Sequence, residues 1–243
     1  NIDAGFGGPV PFISKKFGNL RFFFSTMIEQ DEYLYEVSRS GLDRSSSFLK
    51  LTSDITKQMK LTYSFLSGKV EGTALSRGGG TSIMNDIWDL ASQVNRRGFT
   101  MPWRLFTNIY WSPTTVKNRT NALKLTHQLS SKTFYKILIK HDYKDYYTWH
   151  GARRDTTQDY EVIDGYFVDD SPVGFWGSPY FSVEGRLAFG GAISTSRDTS
   201  TISTIMIKAD WVSQVNSTNQ IKTGFEYISS DLQLEFGDRK SVV

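Results

Sequence analysis

The chain has 243 residues and a formal net charge of +3, from 28 basic and 25 acidic residues, and it contains no cysteine. The near balance of charge excludes a strongly basic nucleic-acid surface, and the lack of cysteine excludes disulfide frameworks and thiolate metal sites. No run approaches the ~18 apolar residues of a transmembrane helix, which excludes a helical membrane protein but not a membrane β-barrel.

Segments with an apolar residue at every second position recur along the chain. In order they are IDAGFGG, NLRFFFSTMIE, SFLKLTSDI, MKLTYSFLSG, NALKLTHQL, TFYKILIKH, STIMIKADW and QIKTGFEYI. In MKLTYSFLSG, at 59–68, Leu61, Tyr63 and Phe65 project from one face of a strand and polar residues project from the other. We therefore predict an all-β protein with about eight antiparallel strands.

The gaps between these segments alternate in length. Short polar turns (ISKKFGN, TKQ, SSK and VNSTN) alternate with long stretches at about 30–45, 71–115 and 151–200. A soluble sandwich has turns every ~8–12 residues, whereas outer-membrane barrels combine short periplasmic turns with long extracellular loops. The rhythm favours an antiparallel up-and-down transmembrane β-barrel, in which lipid covers the apolar strand faces.

The two strand faces carry different residues. The polar faces hold seven lysines, which would be the solvated face of a sandwich or the wet interior of a barrel: Lys50, Lys60, Lys124, Lys136, Lys140, Lys208 and Lys222. In a barrel the lipid-facing residues are predicted to be Leu61, Tyr63, Phe65, Ile137, Ile139, Ile205, Ile207 and Trp211. Aromatic residues near strand ends are predicted to form an interfacial girdle: Tyr63, Tyr135, Trp211 and Tyr227.

The long gaps have features of their own. TSIMNDIWDLASQVN, at 81–95, has apolar residues at helical spacing, and we predict one short loop helix there with Ser82 as its N-cap. Arginine and tryptophan concentrate in the gaps, where binding residues are often found. We predict an extracellular ligand-binding surface formed by Arg96, Arg97, Trp103, Arg104, Trp149 and Trp176. Packing between loops is the alternative role for these tryptophans.

No arrangement for catalysis is found. His141 and Asp142 are adjacent in a strand and so point to opposite faces, His127 lies on an apolar face near a turn, and His150 begins a gap. Nucleophile-elbow and phosphate-loop motifs are absent. An acidic loop contains Asp155, Asp159, Glu161, Asp164, Asp169 and Asp170, of which Asp164, Asp169 and Asp170 are candidate Ca²⁺ ligands. Their spacing is not that of an EF-hand, and a solvated loop is the simpler interpretation. We predict no enzyme activity and no cofactor.

Three hairpins in order carry a resemblance to a known family. FGGPVPF at 6–12 followed by LRFFFSTMIEQDEY, then NALKLTHQLSSKTFYKILIKHDYKDY, then IKADWVSQVNSTNQIKTGFEY resemble the β-barrel of TonB-dependent outer-membrane receptors. The most similar subgroup is the Bacteroidetes-type with a carboxypeptidase-regulatory-like domain upstream. The resemblance implies a Gram-negative outer-membrane location, energised uptake of a siderophore, cobalamin, glycan or peptide, and as partners outer-membrane lipid, a plug domain and a TonB-type energy-transducing complex, with no nucleic acid.

The resemblance also implies that 1–243 is one partial barrel. The chain opens NIDAGFGGPVPF without a methionine, and the family's plug, TonB-contacting segment and C-terminal strands are not in it. Such receptors close with about 22 strands, so we expect an open curved sheet. The strand at 2–12 would lead to a periplasmic turn at 14–19, with the long gaps extracellular. The alternatives are a secreted soluble β-sandwich or jelly-roll that binds or cleaves carbohydrate, and a passive porin-like barrel.

Overall fold

A computed structural model describes residues 1–34, 37–75, 81–86, 88–89, 91, 111–149, 159–163, 166–169 and 198–235. The strands in these residues are β1 (Ile2–Pro9), β2 (Arg21–Glu32), β3 (Gly41–Asp54), β4 (Met59–Thr73), β5 (Pro113–Gln128), β6 (Thr133–Thr148), β7 (Asp159–Ile163), β8 (Tyr166–Asp169), β9 (Thr201–Gln214) and β10 (Gln220–Gln233).

Eight of the strands form one open sheet. Their order is β1-β2-β3-β4-β5-β6-β9-β10, every neighbouring pair is antiparallel, and β7 pairs with β8 in a separate hairpin. The predicted all-β fold, with an open antiparallel up-and-down sheet of about eight strands, is confirmed. Each alternating segment falls in one strand, with at most two of its residues beyond the strand end. Up-and-down order places consecutive connections at opposite ends of the sheet.

The strands are longer than the alternating segments. From β3 onward the strands of the main sheet have 14 to 16 residues, and β4 continues through the small and charged residues GKVEGT. At one end the connections are 10–20, 55–58, 129–132 and 215–219, and at the other they are 33–40, 74–112 and 149–200. The predicted long stretch at 30–45 is therefore wrong, because the β2–β3 ladder extends to the pair Glu32 and Gly41.

The first short connection contains a 3₁₀ turn at Ser14–Phe17, which ends at Gly18 with φ of 62°. Only glycine adopts this left-handed conformation without strain, and a Cβ added there would collide with the carbonyl oxygen of Asp54. The turn packs against β3 through two further contacts: the Asp54 amide donates to the Gly18 carbonyl at 2.6 Å, and the Ser53 hydroxyl donates to the Phe17 carbonyl at 2.6 Å.

The predicted loop helix begins later than expected. Among the described residues Trp88, Asp89 and Ala91 are helical, and the cap is Asp86, whose Oδ1 accepts from the amides of Trp88 and Asp89 at 2.8 and 2.9 Å. Ser82 as N-cap is wrong, since its carbonyl accepts from the Leu75 amide within a strand-like segment. Positions 92–95 lie outside the described residues. Within the described ranges no helix has the length and apolarity needed to cross a membrane.

Candidate functional site

The register divides the side chains of the main sheet between two faces. We call the face that contains Leu61, Tyr63 and their cross-strand partners the apolar face. We call the opposite face, which contains Lys60, Thr62 and their partners, the lysine face. Cross-strand partners in an antiparallel ladder share a face, so the pairings between the eight strands assign every strand residue to one of the two.

Four successive rows on the apolar face contain no Asp, Glu, Lys or Arg. All eight residues predicted to face lipid lie in these rows. From the short-turn end, the rows are Met59, His127, Tyr135, Trp211 and Thr223; then Ser53, Leu61, Leu125, Ile137, Ala209 and Phe225; then Gly8, Phe22, Leu51, Tyr63, Leu123, Ile139, Ile207 and Tyr227; then Phe6, Phe24, Leu49, Phe65, Asn121, His141, Ile205 and Ser229. Together they cover roughly 20 Å along the strands.

The apolar face is open to its surroundings. Ile139 is 46% exposed, Ile205 is 45% exposed and Phe225 is 63% exposed, although each sits within a continuous apolar surface. Leu61 and Tyr63 are half-buried, as expected for side chains flanked only by their neighbours in the same sheet. Contiguous exposed apolar patches of this extent are rare on soluble monomers and indicate an interaction surface.

Aromatic side chains lie near both borders of the four rows on β4 to β10. Tyr135 and Trp211 are paired in the first row, next to the short turns, and the Tyr135 hydroxyl lies 3.0 Å from Nδ1 of His127. Tyr63 and Tyr227 lie two rows further in, not at the strand ends as the girdle prediction placed them. The Tyr63 hydroxyl donates at 2.8 Å to Oδ1 of Asn121 in the fourth row, where polar residues begin.

The short turns continue the apolar character beyond the first row. Each of the four carries at least one exposed large apolar side chain: Phe12, Ile55, Leu129 and Val215 respectively. Phe12 is completely exposed and has a positive φ of 64°, which turns the chain after β1. The apolar surface of the sheet therefore extends to its short-turn end.

The lysine face lies directly behind these rows and differs from them in carrying charged residues, which stand among apolar side chains such as Phe23 and Ile228. All seven lysines identified in the polar strand positions are on it: Lys50, Lys60, Lys124, Lys136, Lys140, Lys208 and Lys222. Some of them pair with carboxylates on the same face. Lys140 lies 2.7 Å from Asp142, and Lys208 lies 3.0 Å from Glu226. One face of the sheet is thus suited to an apolar medium and the other to water.

At the long-connection end the chain builds a packed apolar core, which we call the strand-end cluster. Val37, Met84 and Trp111 are each at most 1% exposed and pack with Tyr33 and Leu75. The Tyr33 hydroxyl donates to the Met84 carbonyl at 2.6 Å, and burial raises the pKa of this phenol above its ordinary value. Leu75 and Trp111 lie near the two ends of the 74–112 connection, so the cluster holds both of its ends together.

A polar network joins this cluster to the other long connection. The Thr148 hydroxyl lies 2.6 Å from the Thr114 hydroxyl and 2.7 Å from the Thr81 hydroxyl. The Thr81 amide donates at 2.6 Å to the carboxylate of Asp198, which also accepts from the Ser200 amide at 2.9 Å. Burial of Asp198 opposes ionisation, but hydrogen bonds from Ser200 and Thr81 outweigh it and hold the pKa of this carboxyl below its ordinary value.

Most of the predicted ligand-binding residues lie outside the described part of the chain: Arg96, Arg97, Trp103, Arg104 and Trp176. Trp149 is described; it is half-buried at the end of β6, and its amide donates to the Pro113 carbonyl at 3.3 Å. The strand-end cluster was not identified from the sequence. Within it Tyr33 and Met84 are 51 positions apart, in the adjoining polar network Thr81 and Asp198 are 117 positions apart, and neither alternation nor helical spacing carries a signal for such pairs.

The register also bears on the histidines and the candidate calcium site. His141 and Asp142 point to opposite faces, as predicted: His141 Nε2 lies 3.0 Å from the Ser203 hydroxyl, and Asp142 accepts from Thr120 on the lysine face. His150, Asp164 and Asp170 lie outside the described residues, and Asp169 is described only in its backbone. In the described ranges no three His, Cys, Asp or Glu side chains are grouped as metal ligands.

Comparison of the chain with protein families, with curated proteins and with solved structures gives no match.

Proposed function

We propose that the chain is part of an outer-membrane receptor that takes up a scarce ligand, a siderophore, cobalamin, glycan or peptide, with energy supplied through a TonB-type complex. In this proposal the sheet is a segment of a β-barrel wall. Lipid contacts the apolar face, the lysine face lines a water-filled lumen that holds a plug domain, and the 74–112 and 149–200 connections are extracellular and capture the ligand.

The uncharged, exposed surface of four rows on the apolar face carries this proposal. In water such a surface is unfavourable by about 25 cal/mol for each Å² of apolar area left exposed, and the cost disappears when hydrocarbon replaces water. Seven of the eight strands, all except the eight-residue β1, are also long enough, because they have 12 to 16 residues and a tilted transmembrane strand needs only about 9–11. The two properties occur together on the same strands.

The asymmetry between the two ends of the sheet adds independent support. The short turns carry exposed apolar side chains, which suits a position near the membrane interface. The 74–112 connection starts and finishes in the strand-end cluster, and the 149–200 connection starts and finishes in the polar network beside it. The ends of both long connections are therefore held in fixed positions at one end of the wall. A receptor needs such a rigid base for the loops that bind its ligand.

The proposal is tested by two neighbouring substitutions of β9 that fall on opposite faces. Ile207→Asp places a charge on the apolar face, where Ile207 pairs with Ile139 and Tyr227. Met206→Asp, its matched control, adds the same charge on the lysine face between Lys140 and Ile228. In Gram-negative cells that express the chain with an export signal, we expect the parent and Met206→Asp in the detergent-extracted envelope and Ile207→Asp largely lost from it.

Two results would contradict the proposal. Release of the parent chain by osmotic shock, as a soluble cooperatively folded monomer, would favour the secreted β-sandwich or jelly-roll that binds or cleaves carbohydrate. Equal loss of both variants from the envelope would show that the two faces meet the same surroundings.

A further inference from the structure

Four lysines on the lysine face lack the carboxylate partners that their neighbours have. From the row of Lys222 to the row of Asp142, this face carries eight cations and four carboxylates. The cations are Arg21, Lys50, Lys60, Lys124, Lys136, Lys140, Lys208 and Lys222. The carboxylates are Asp54, Asp142, Asp210 and Glu226. Arg21, Lys60, Lys140 and Lys208 each form an ion pair. Over the described residues Lys50, Lys124, Lys136 and Lys222 form none.

These four lysines follow a diagonal line across the sheet. Each is one row above the last: Lys222 on β10, Lys136 on β6, Lys124 on β5 and Lys50 on β3. From the spacing of strands and residues, neighbouring backbone positions on this diagonal are roughly 8–12 Å apart, and the whole line is about 30 Å long. Such a line matches an extended ligand with negative groups at intervals better than a single compact anion.

Aromatic rings stand at both ends of the diagonal. Phe23 is the direct cross-strand partner of Lys50 and is 44% exposed. Phe134 lies at the other end, with the Lys136 ammonium 5.3 Å from the centre of its ring. Phe134, Lys136, Val212 and Lys222 line an open groove of about 520 Å³. Aromatic faces offer broad apolar contact to a sugar ring, and lysines offer charge-assisted hydrogen bonds to its acidic groups.

We infer that the lysine face binds an acidic oligosaccharide along the line from Lys222 to Lys50, with carboxylate or sulfate groups on the lysines and sugar rings against Phe134 and Phe23. This inference rests on the proposed function and assigns the ligand of that transporter to the anionic glycans. Asp210 lies beside Lys136 in the same row and is the carboxylate that most directly opposes an anion there.

Binding to the full chain in detergent micelles tests the inference, with a fluorescent galacturonic acid oligomer as the probe. A neutral glucose oligomer of equal length and linear polyphosphate are the comparison ligands. We expect the acidic sugar to bind at least about tenfold more tightly than either, because only it has both charged groups and sugar faces. High salt should weaken its binding.

Matched variants locate the site. Lys124→Gln with Lys136→Gln is expected to weaken binding roughly tenfold, whereas Lys15→Gln with Lys132→Gln removes the same charge from two short turns and should change it less than about twofold. Asp210→Asn removes the opposing carboxylate and should tighten binding. Phe134→Leu should weaken the acidic sugar but leave polyphosphate unchanged.

The inference is overturned if the neutral oligomer binds as tightly as the acidic one, if the two lysine pairs have equal effects, or if polyphosphate is preferred. Flotation of the same preparations with lipid vesicles separates this outcome from failure of the proposed function. A chain that floats with vesicles but does not prefer the acidic sugar overturns the inference alone. A chain that does not float contradicts the proposed function, whatever it binds.

Discussion

The apolar face and the strand-end cluster are both rich in large apolar side chains, but only the cluster is covered by protein. Trp111 and Met84 are at most 1% exposed because they pack with Val37, Tyr33 and Leu75. Ile139 and Phe225 on the apolar face remain 46% and 63% exposed. The strand-end cluster is thus buried by protein, whereas the apolar face is exposed.

This difference shows how the two regions are stabilised. The cluster gains its stability from protein packing, so it should tolerate a change of solvent but not a cavity. The apolar face has no facing layer in the described residues and should depend on the medium that contacts it. Substitutions in the two regions should therefore respond differently to lipid, detergent and water.

The largest expected effect is a cavity in the strand-end cluster. Trp111→Ala removes a fully buried side chain and should lower the free energy of unfolding by about 3–5 kcal/mol, in micelles and in vesicles alike. Trp88→Ala is the control, since this side chain is 77% exposed, and should stay within about 0.5 kcal/mol of the parent. Denaturant titration measures both. A small effect of Trp111→Ala would mean that the cluster is not a packed core.

A charge on the apolar face should cost slightly less and should depend on lipid. Ile139→Lys is expected to destabilise the folded chain in vesicles by about 2–4 kcal/mol, the range for lysine near the middle of a bilayer. Leu138→Lys places the same residue on the lysine face between Lys124 and Lys208 and should cost only about 1 kcal/mol, because like charges opposite each other in water repel weakly. Refolding titrations into vesicles compare the two. Similar costs for both variants would contradict the assignment of lipid to one face.

The Asp198 network should give an intermediate effect that depends on pH. Asp198→Asn replaces an accepting oxygen with a donor and is expected to cost about 1–3 kcal/mol at neutral pH. Burial raises the pKa of the Asp198 carboxyl, but hydrogen bonds outweigh burial and lower it overall. The ionised carboxylate therefore stabilises the folded chain above the ordinary carboxyl pKa, and this stabilisation is lost as pH falls through the lowered pKa.

The difference between parent and Asp198→Asn should accordingly shrink to zero in strong acid. Hydrogen exchange of residues 81–84 at neutral and acidic pH measures this, with Asp231→Asn, on the exposed strand β10, as the control. An effect that does not vary with pH would show that the charge of Asp198 is not involved.

The smallest effect is expected at the short-turn end. Gly18→Ala forces a left-handed conformation on alanine and brings its Cβ against the Asp54 carbonyl, so we expect a loss of about 1–2 kcal/mol. Gly8→Ala is the control, because nothing lies within 4 Å of an added Cβ there. Thermal unfolding in micelles measures both. Equal stability of the two variants would mean that the β1–β2 turn is not held by its contact with β3.

Alternation predicted the eight strands and which of their residues share a face, because period-2 patterning depends only on local sequence. It could not predict how far the strands extend, since in GKVEGT of β4 small and charged residues occupy both faces. Alternation also could not predict the strand-end cluster or the polar network beside it, because the bond from Tyr33 to Met84 joins residues 51 positions apart and the bond from Thr81 to Asp198 joins residues 117 positions apart. Ser82 and Asp86 are both good caps by residue type, and the bridge between Ala74 and Ile83 decides between them.

Single cysteines can distinguish lipid on the apolar face from water on the lysine face, because the chain has no cysteine of its own. Ile139→Cys and Leu138→Cys, each carrying the same fluorophore, would be reconstituted into vesicles that contain brominated lipid. If lipid contacts only the apolar face, quenching will be strong at position 139 and weak at position 138. Equal quenching at both positions, or none at 139, would contradict this assignment of lipid to one face.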